Sequence, residues 1–514
     1  MNTTDVDVVI VGAGLSGIGT ACHLRRNCPE QSFALLERRQ AIGGTWDLFR
    51  YPGIRSDSDM CTFGYSFRPW NGTKVLADGE SIRGYIADTA REYDVEQHIR
   101  FGRKVTSAEW STAEQVWTVT STDEDGGDEQ QLRARFVVNC SGYYNYDQGY
   151  TPAIPGAETF AGQIVHPQHW PENLDYAGKK VVVIGSGATA ITLVPSMAGT
   201  AAHVTMLQRT PTYILSVPSD DPVARRLNRF LPEKVAYTMS RARNIGLQRF
   251  LYQVARSRPR AVKRLLRMAT RRQLGSNVDL KHFSPPYNPW DQRLCVVPDG
   301  DLFKALRKGQ ASIVTDQIDA LDATGIRLKS GEHLDADIVI TATGLNIQMF
   351  GGASLHVDGA AVKPKDTMVY RGCMVEGVPN LLTITGYTNA SWTLKADLVG
   401  EYLCRLLQHM QKKGYAMATP APQTEGRLED TVMGSLSSGY VQRGSDQLPR
   451  QGANAPWRIM NDYIRDIPAM RFGRIDDGVL RFRASQTSVP AASTPSRSRR
   501  GRNAATNAPS PAAG

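Results

Sequence analysis

Hydrophobic and polar positions along the chain form short apolar runs, each followed by a stretch of helical period, and this strand, turn, helix, strand grammar occurs twice. The first copy is Val6 to Val11, the turn Gly12-Ala13-Gly14-Leu15-Ser16-Gly17, an Ala/Leu-rich stretch to Arg26, and Phe33 to Leu36. An apolar run, a tight glycine turn and a helix followed by another apolar run make a βαβ unit. The second copy is Lys180 to Ile184, the turn Gly185-Ser186-Gly187-Ala188-Thr189-Ala190, a helix-compatible stretch to Ala198, and a strand at His203 to Gln208. Two later apolar strands, Ile338 to Thr341 before Ala342-Thr343-Gly344 and Leu381 to Thr385 before Gly386, precede a helical stretch from Leu394 to Leu407. These are expected to return the chain to its first domain.

Between Arg225 and Arg272 the pattern changes. Leu227, Phe230, Leu247, Phe250, Leu251 and Leu265 recur at roughly helical spacing among basic residues, with Glu233 the lone acid. That periodicity predicts amphipathic helices inserted into the second domain. From about Gln486 onward the chain is Pro, Ser, Ala, Thr, Asn and Arg, with too little apolar material to form a core, so the tail is expected to be disordered. The fold class that follows is α/β: two Rossmann-like dinucleotide-binding domains, an inserted helical region and a disordered C-terminal tail. The expected boundaries are 1–148 and 336–485 for the first domain, 149–218 and 287–335 for the second, 219–286 for the insertion and 486–514 for the tail.

A length of 514 residues is more than one core ordinarily serves. The composition, 41% hydrophobic and 21% charged, is that of a globular enzyme. No apolar stretch reaches the length of a membrane span, and the first strand is preceded by no basic leader, so a soluble, cytoplasmic protein is expected. The seven cysteines are scattered without a CxxC pair, which excludes a redox dithiol and a zinc site and predicts reduced thiols. The formal charge is +10, concentrated between Arg225 and Arg272 and in the cluster Arg497, Arg499, Arg500 and Arg502. Two readings of the basic region stand side by side, a peripheral contact with an anionic membrane and a solvated helical face over the domain cleft. Nucleic acid is not expected, because no aromatic platform or reading motif accompanies the charge.

Glycine at 12 permits a tight turn, Gly14 lets backbone approach a pyrophosphate at the helix N-terminus, and Gly17 allows close helix packing, with Ser16 in the same turn. Glu37 follows at twenty residues from Gly17, where an acid accepts from ribose hydroxyls. After the second motif the acid is replaced by Gln208-Arg209-Thr210. A guanidinium there pairs with a 2'-phosphate, so Arg209 and Thr210 point to NADPH over NADH. Two dinucleotide sites in one chain imply hydride transfer from nicotinamide to a flavin.

Two further stretches carry a family resemblance. Phe160-Ala161-Gly162-Gln163-Ile164-Val165-His166-Pro167-Gln168-His169-Trp170-Pro171 matches the FxGxxxHxxxW(P/D) fingerprint of type I Baeyer-Villiger monooxygenases. Gly43-Gly44-Thr45-Trp46, continuing through Tyr51-Pro52-Gly53 to Asp57, is similar to that family's other signature. The resemblance implies FAD and NADPH as cofactors, O2 as co-substrate, and oxygen insertion through a flavin peroxide beside a ketone carbonyl or onto sulfur. It implies that Thr45, Trp46, Asp57 and the backbone near Val105 line the flavin, and that Arg55, Ser56 and Asp57 face the nicotinamide half of NADP. The catalytic arginine of the family corresponds to Arg293 in Asn288-Pro289-Trp290-Asp291-Gln292-Arg293, with Asp57 as its counter-ion. Where family members often carry a lysine before that arginine, this chain has Gln292. His166 is expected to couple domain motion to catalysis from an interdomain linker. The Tyr287 to Arg293 run and Thr388-Asn389-Ala390-Ser391-Trp392 also resemble the actinobacterial thioamide-prodrug-activating and long-chain alkane monooxygenases, which implies a small lipophilic ketone or sulfur substrate.

Overall fold

The computed structural model describes residues 4–275, 278–292, 294–423, 425–434, 436 and 438–485. The expected disordered tail and Arg293 therefore lie outside the described residues.

The first sheet is built on β1 (Val6–Val11), β2 (Phe33–Leu36), β3 (Ile99–Arg100), β4 (Lys104–Ser111), β5 (Val116–Thr122) and β6 (Gln130–Asn139). Strands β3, β2, β1 and β6 run parallel in that order, while β4, β5 and β6 form an antiparallel meander. Helix α1 (Leu15–Asn27) follows the first glycine turn. The second sheet contains β7 (Gln163–Val165), β8 (Lys180–Ile184), β9 (His203–Gln208), β10 (Ala311–Thr315) and β11 (Ile338–Thr341), with α2 (Ala188–Met197) after β8. Its order is β10-β9-β8-β11-β7 and every pairing is parallel. Parallel strands covered on both faces are buried along their length, which is why β2 reads as an unbroken apolar run and β11 as Ile-Val-Ile ending on a buried Thr341.

One expectation is corrected here. The strand Ile338–Thr341 does not return to the first domain; it lies between β8 and β7 in the second sheet. The chain rejoins the first sheet afterwards, where Ser354–Val357 pairs with β4 and β12 (Leu381–Thr383) pairs with β6. An apolar strand of four residues fits either sheet, and long-range pairing decides between them.

The basic region forms three helices, α3 (Pro222–Phe230), α4 (Glu233–Ser257) and α5 (Pro259–Leu274). Asp221 caps α3, its carboxylate accepting the N–H groups of Val223 and Ala224 at 3.0 Å. Prolines at 222 and 259 occupy first-turn positions, where their missing N–H is no loss. The last long helix, α6 (Trp392–Lys413), covers the first sheet beside α1, and Ile10, Ile18, Leu35, Leu398 and Leu403 between them are fully buried.

Candidate active site

In the first glycine turn, Gly12 has φ +102°, and a Cβ there would lie 2.8 Å from the Cys140 carbonyl oxygen. A Cβ on Gly17 would stand 1.8 Å from the Gly12 carbonyl oxygen, so only glycine lets α1 sit this close to the turn. Gly14 is the N-cap of α1 and supplies no side-chain cap, which leaves first-turn N–H groups for a ligand. The signature stretch at 43–57 meets the glycine turn at this point: the Gly43 N–H donates to the Ala13 carbonyl at 3.2 Å, and Gly14 and Gly44 face one another backbone to backbone. Glu37, at the end of β2, is buried. Its carboxylate accepts the Ala13 N–H at 2.6 Å and the Arg39 N–H at 2.8 Å. Burial pushes its carboxyl above the ordinary value.

A cavity of about 610 Å³ extends from this turn between the first sheet and the inserted helix α4. Gly12, Gly14, Ser16, Glu37 and Val105 line its inner end, and Thr45, Trp46, Ser56 and Asp57 its middle. Leu247, Leu251 and Tyr252 of α4, with Trp290, Gln292 and Leu294, line the outer end. Thr45 Oγ1 is 3.4 Å from the Tyr146 hydroxyl, Trp46 meets Phe63 edge to face at 5.8 Å, and Ser56 donates to the Ser58 carbonyl at 2.8 Å. Gln292 and Leu294 flank Arg293 in sequence. Cys140 also borders the cavity, but burial pushes its thiol up to about 12, which keeps it protonated and unreactive.

Arg55 stands apart from these residues. Its Nη1 donates to Asp301 at 2.6 Å, and its Nη2 is buried without a hydrogen-bond partner. The second glycine turn also lies outside the cavity, at the carboxyl edge of its sheet next to the point where strand order reverses between β8 and β11. Dinucleotides bind at such switch points. Gly185 lies against the Ala342 carbonyl and Ser186 donates to the Thr210 carbonyl at 2.9 Å. Gly187 and Ala188 are exposed at the uncapped start of α2, whose first turn includes Thr189 and Ala190. Arg209 is exposed just beyond β9 and Thr210 is half-buried.

The fingerprint histidine sits where the linkers cross. His166 Nδ1 accepts the Gln168 N–H at 3.2 Å, and a Cβ on Gly149 would fall 2.0 Å from its ring. Burial holds its pKa below the ordinary histidine value, favouring the neutral ring. The Tyr150 N–H donates to Gly344 at 3.0 Å, so the first linker runs beside the Ala342-Thr343-Gly344 turn.

Two contacts escape sequence reasoning. Trp392 Nε1 donates to Ser16 Oγ at 2.8 Å and its ring stacks on Tyr143 at 5.3 Å, closing the cavity from α6. Arg241 of α4 donates to the carbonyls of Cys61 at 2.8 Å and Gly64 at 2.6 Å and lies 3.5 Å from Asp397. It ties the inserted helix to the first domain. No sequence spacing announces either contact.

The residues present fit a flavin nucleotide in the cavity: a glycine cradle, uncapped helix N–H groups and a buried acid. The comparisons agree. A model of flavin-binding monooxygenase-like proteins matches residues 5–353. MymA of Mycobacterium tuberculosis, named as an FAD-containing monooxygenase, is 56% identical over 490 residues, 95% of this chain and 99% of its own. The FAD-containing monooxygenase EthA of the same organism is 53% identical over 483 residues, 93% of this chain and 98% of its own. Among solved structures, oxidised steroid monooxygenase bound to NADP has the same fold, with a TM-score of 0.73 and 22% identity over 93% of this chain and 100% of that one. The chain belongs to the flavin-binding monooxygenase-like family.

Proposed function

We propose that this protein is an FAD-dependent, NADPH-consuming monooxygenase of the Baeyer-Villiger type that converts apolar ketones to esters or lactones. The observation that carries the reading is the cavity, which joins the first glycine turn to an apolar wall of Leu247, Leu251, Tyr252 and Leu294. Alkyl groups are stabilised there by about 25 cal/mol per Å² removed from water. Asp57, Asn244 and Gln248 add the few polar contacts that orient a ligand. The balance is ketone, O2, NADPH and a proton giving ester, water and NADP.

Bound flavin, once reduced by NADPH, would supply the activation of O2. The chain's own residues do the rest. N–H groups at the start of α1 hold pyrophosphate, Glu37 accepts from ribose hydroxyls, and Arg209 with Thr210 takes the 2'-phosphate. Thr45, Trp46 and the backbone at Val105 enclose the flavin, and Arg55 and Ser56 support the nicotinamide side. Arg293 stabilises negative charge developing on the substrate oxygen, and Asp57 positions it. His166, held by Gln168, couples the linkers and transfers no proton.

The test is NADPH oxidation by the FAD-loaded enzyme with 2-alkanones of increasing length, with product mass spectrometry. The expected product is an ester one oxygen heavier. Arg293→Ala is expected to lose roughly 10²–10³-fold in kcat while flavin reduction by NADPH survives. Hydrogen peroxide as the sole product overturns the reading, and a sulfoxide from a thioether with no ester from any ketone replaces it with sulfur oxygenation.

Coenzyme choice gives a separate prediction. Loss of a charge-assisted hydrogen bond costs about 1.5–3 kcal/mol, so Arg209→Ala is expected to raise the KM for NADPH roughly 10- to 100-fold and to leave that for NADH nearly unchanged. An equal change for both coenzymes removes Arg209 from the 2'-phosphate site.

A further inference from the structure

Among the described residues, nine of the fourteen exposed large apolar side chains lie on α3, α4 and α5. Phe230 is 69% exposed, Phe250 60% and Leu265 61%. On α4, Val235, Met239, Gly246 and Phe250 are spaced i, i+4, i+11 and i+15, which at 100° per residue places them within about 60° of one another. This stripe faces outward.

The charge on the same helices is nearly all of one sign. Fifteen lysines and arginines between 225 and 272 face one acid, Glu233, and α5 has no acid at all. Arg241, Arg243 and Arg249 are used internally, against Asp397, Asp221 and Asp462. Arg226, Arg229, Arg264, Arg267 and Arg271 are exposed and have no acidic partner among the described residues. A solvated face has no use for exposed phenylalanines between these arginines. A second copy of the same face would bring like charges together. Phosphodiester backbones satisfy the arginines and leave the apolar stripe in water. An anionic bilayer satisfies both, headgroups meeting the guanidinium groups and acyl chains the Phe, Leu and Met side chains. No helix among the described residues is long and apolar enough to cross a membrane, so the contact is peripheral.

One further observation joins this face to the cavity. Leu247 and Leu251 line the cavity and are also 52% and 41% exposed. They occupy the flank of α4 next to the outward stripe, so the cavity's apolar wall adjoins the outer apolar face. We propose that α3, α4 and α5 dock this enzyme on an anionic lipid bilayer, with lipophilic substrate passing from the acyl region past Leu247 and Leu251 into the cavity. The substrate route rests on the apolar-ketone reading above; the docking surface stands without it.

The test uses the full-length FAD-loaded protein without substrate, floated with vesicles of phosphatidylcholine alone or with one part in about three of phosphatidylglycerol. Flotation is expected with the anionic vesicles only, and release at high salt, where screening shortens to a few ångströms. Each arginine near an anionic surface contributes roughly fivefold to partitioning, so Arg264→Gln/Arg267→Gln/Arg271→Gln is expected to bind roughly a hundredfold more weakly. Phe230→Ser/Phe250→Ser is expected to lose flotation at any salt concentration. Both variants should keep their flavin and their turnover of water-soluble 2-butanone, and both should turn over vesicle-borne 2-tridecanone more slowly than the parent. Equal flotation with neutral vesicles, or variants that float like the parent, overturns the proposal. So does a concentration-dependent dimer, or salt-sensitive retention on DNA, that these substitutions abolish while no vesicle binds. Anionic flotation with no ketone turned over upholds the docking surface and overturns the ketone reading instead.

Discussion

Replacing Gly17 by alanine is expected to leave a folded protein that purifies almost free of flavin. The added Cβ would lie 1.8 Å from the Gly12 carbonyl oxygen and 3.0 Å from its carbonyl carbon. Both are backbone atoms, so no rotamer change relieves the clash; the turn and α1 must move apart. Overpacking ordinarily costs about 1–3 kcal/mol, and a backbone clash this close belongs at the upper end, about a hundredfold in flavin affinity. The loss falls on binding because the displaced atoms are those of the cradle: Gly12 borders the cavity and Gly14 opens the helix. Gly84→Ala is the control. Gly84 is an exposed residue inside the helix Gly79–Glu92, and a Cβ there meets nothing within 4 Å. That substitution should stabilise the protein by about 0.5–1 kcal/mol and leave the flavin in place. The readout is flavin absorbance per chain after gel filtration. A Gly17→Ala protein as yellow as the Gly84→Ala protein would mean that the first turn is not the cradle.

What sequence made legible was local. A glycine turn between an apolar run and a helix, with Glu37 and Arg209 at fixed distances behind, is visible because neighbours in the chain are neighbours in space. Gly14 and Gly44 meeting across the cavity could be expected only through the family signature at 43–57, not from spacing. The strand Ile338–Thr341 lies in the second sheet against the sequence expectation because its three apolar residues say that it is buried and say nothing of between which strands. Helices α3 to α5 are legible as amphipathic, and a face over the domain cleft is one reading the sequence allows, but the wall that α4 builds with Leu247 and Leu251 is not legible. Leu247 and Leu251 look like any helical apolar pair until the fold sets α4 against the first domain. One contact that does so, Arg241 to Asp397, spans 156 residues.

That contact supports the second large prediction. Asp397 is 2% exposed. One oxygen is 3.2 Å from His23 Nε2; the other accepts the Ser66 N–H at 2.7 Å and faces Arg241 at 3.5 Å. Removing one partner of a buried pair leaves the other uncompensated and costs about 3–5 kcal/mol. Asp397→Ala is therefore expected to lower stability by that amount in the first urea transition. Asp397→Ala also strands the Arg241 guanidinium, itself 8% exposed, and the Ser66 N–H. Replacing both charges together, as in Arg241→Met/Asp397→Leu, removes the stranded charge and should cost clearly less than Asp397→Ala alone. The pH dependence has a definite sign. Burial alone would raise the Asp397 carboxyl; the His23 hydrogen bond, with His23 and Arg241 as charges, holds it below the ordinary value instead. A carboxylate depressed in the folded state stabilises above the unfolded pKa of about 3.9 and loses that contribution as pH falls through the lower folded value. Asp397→Ala should accordingly flatten the acid limb of the stability profile below about pH 4 and leave its shape near neutrality unchanged. Because Arg241 is one of the contacts that fix α4 to the first domain, with Arg249 to Asp462 another, the same variant should loosen the wall that carries Leu247 and Leu251, raising KM for long 2-alkanones more than for 2-butanone. A double variant as unstable as Asp397→Ala, or an unchanged chain-length preference, would show that the pair neither bears the buried charge nor holds the wall.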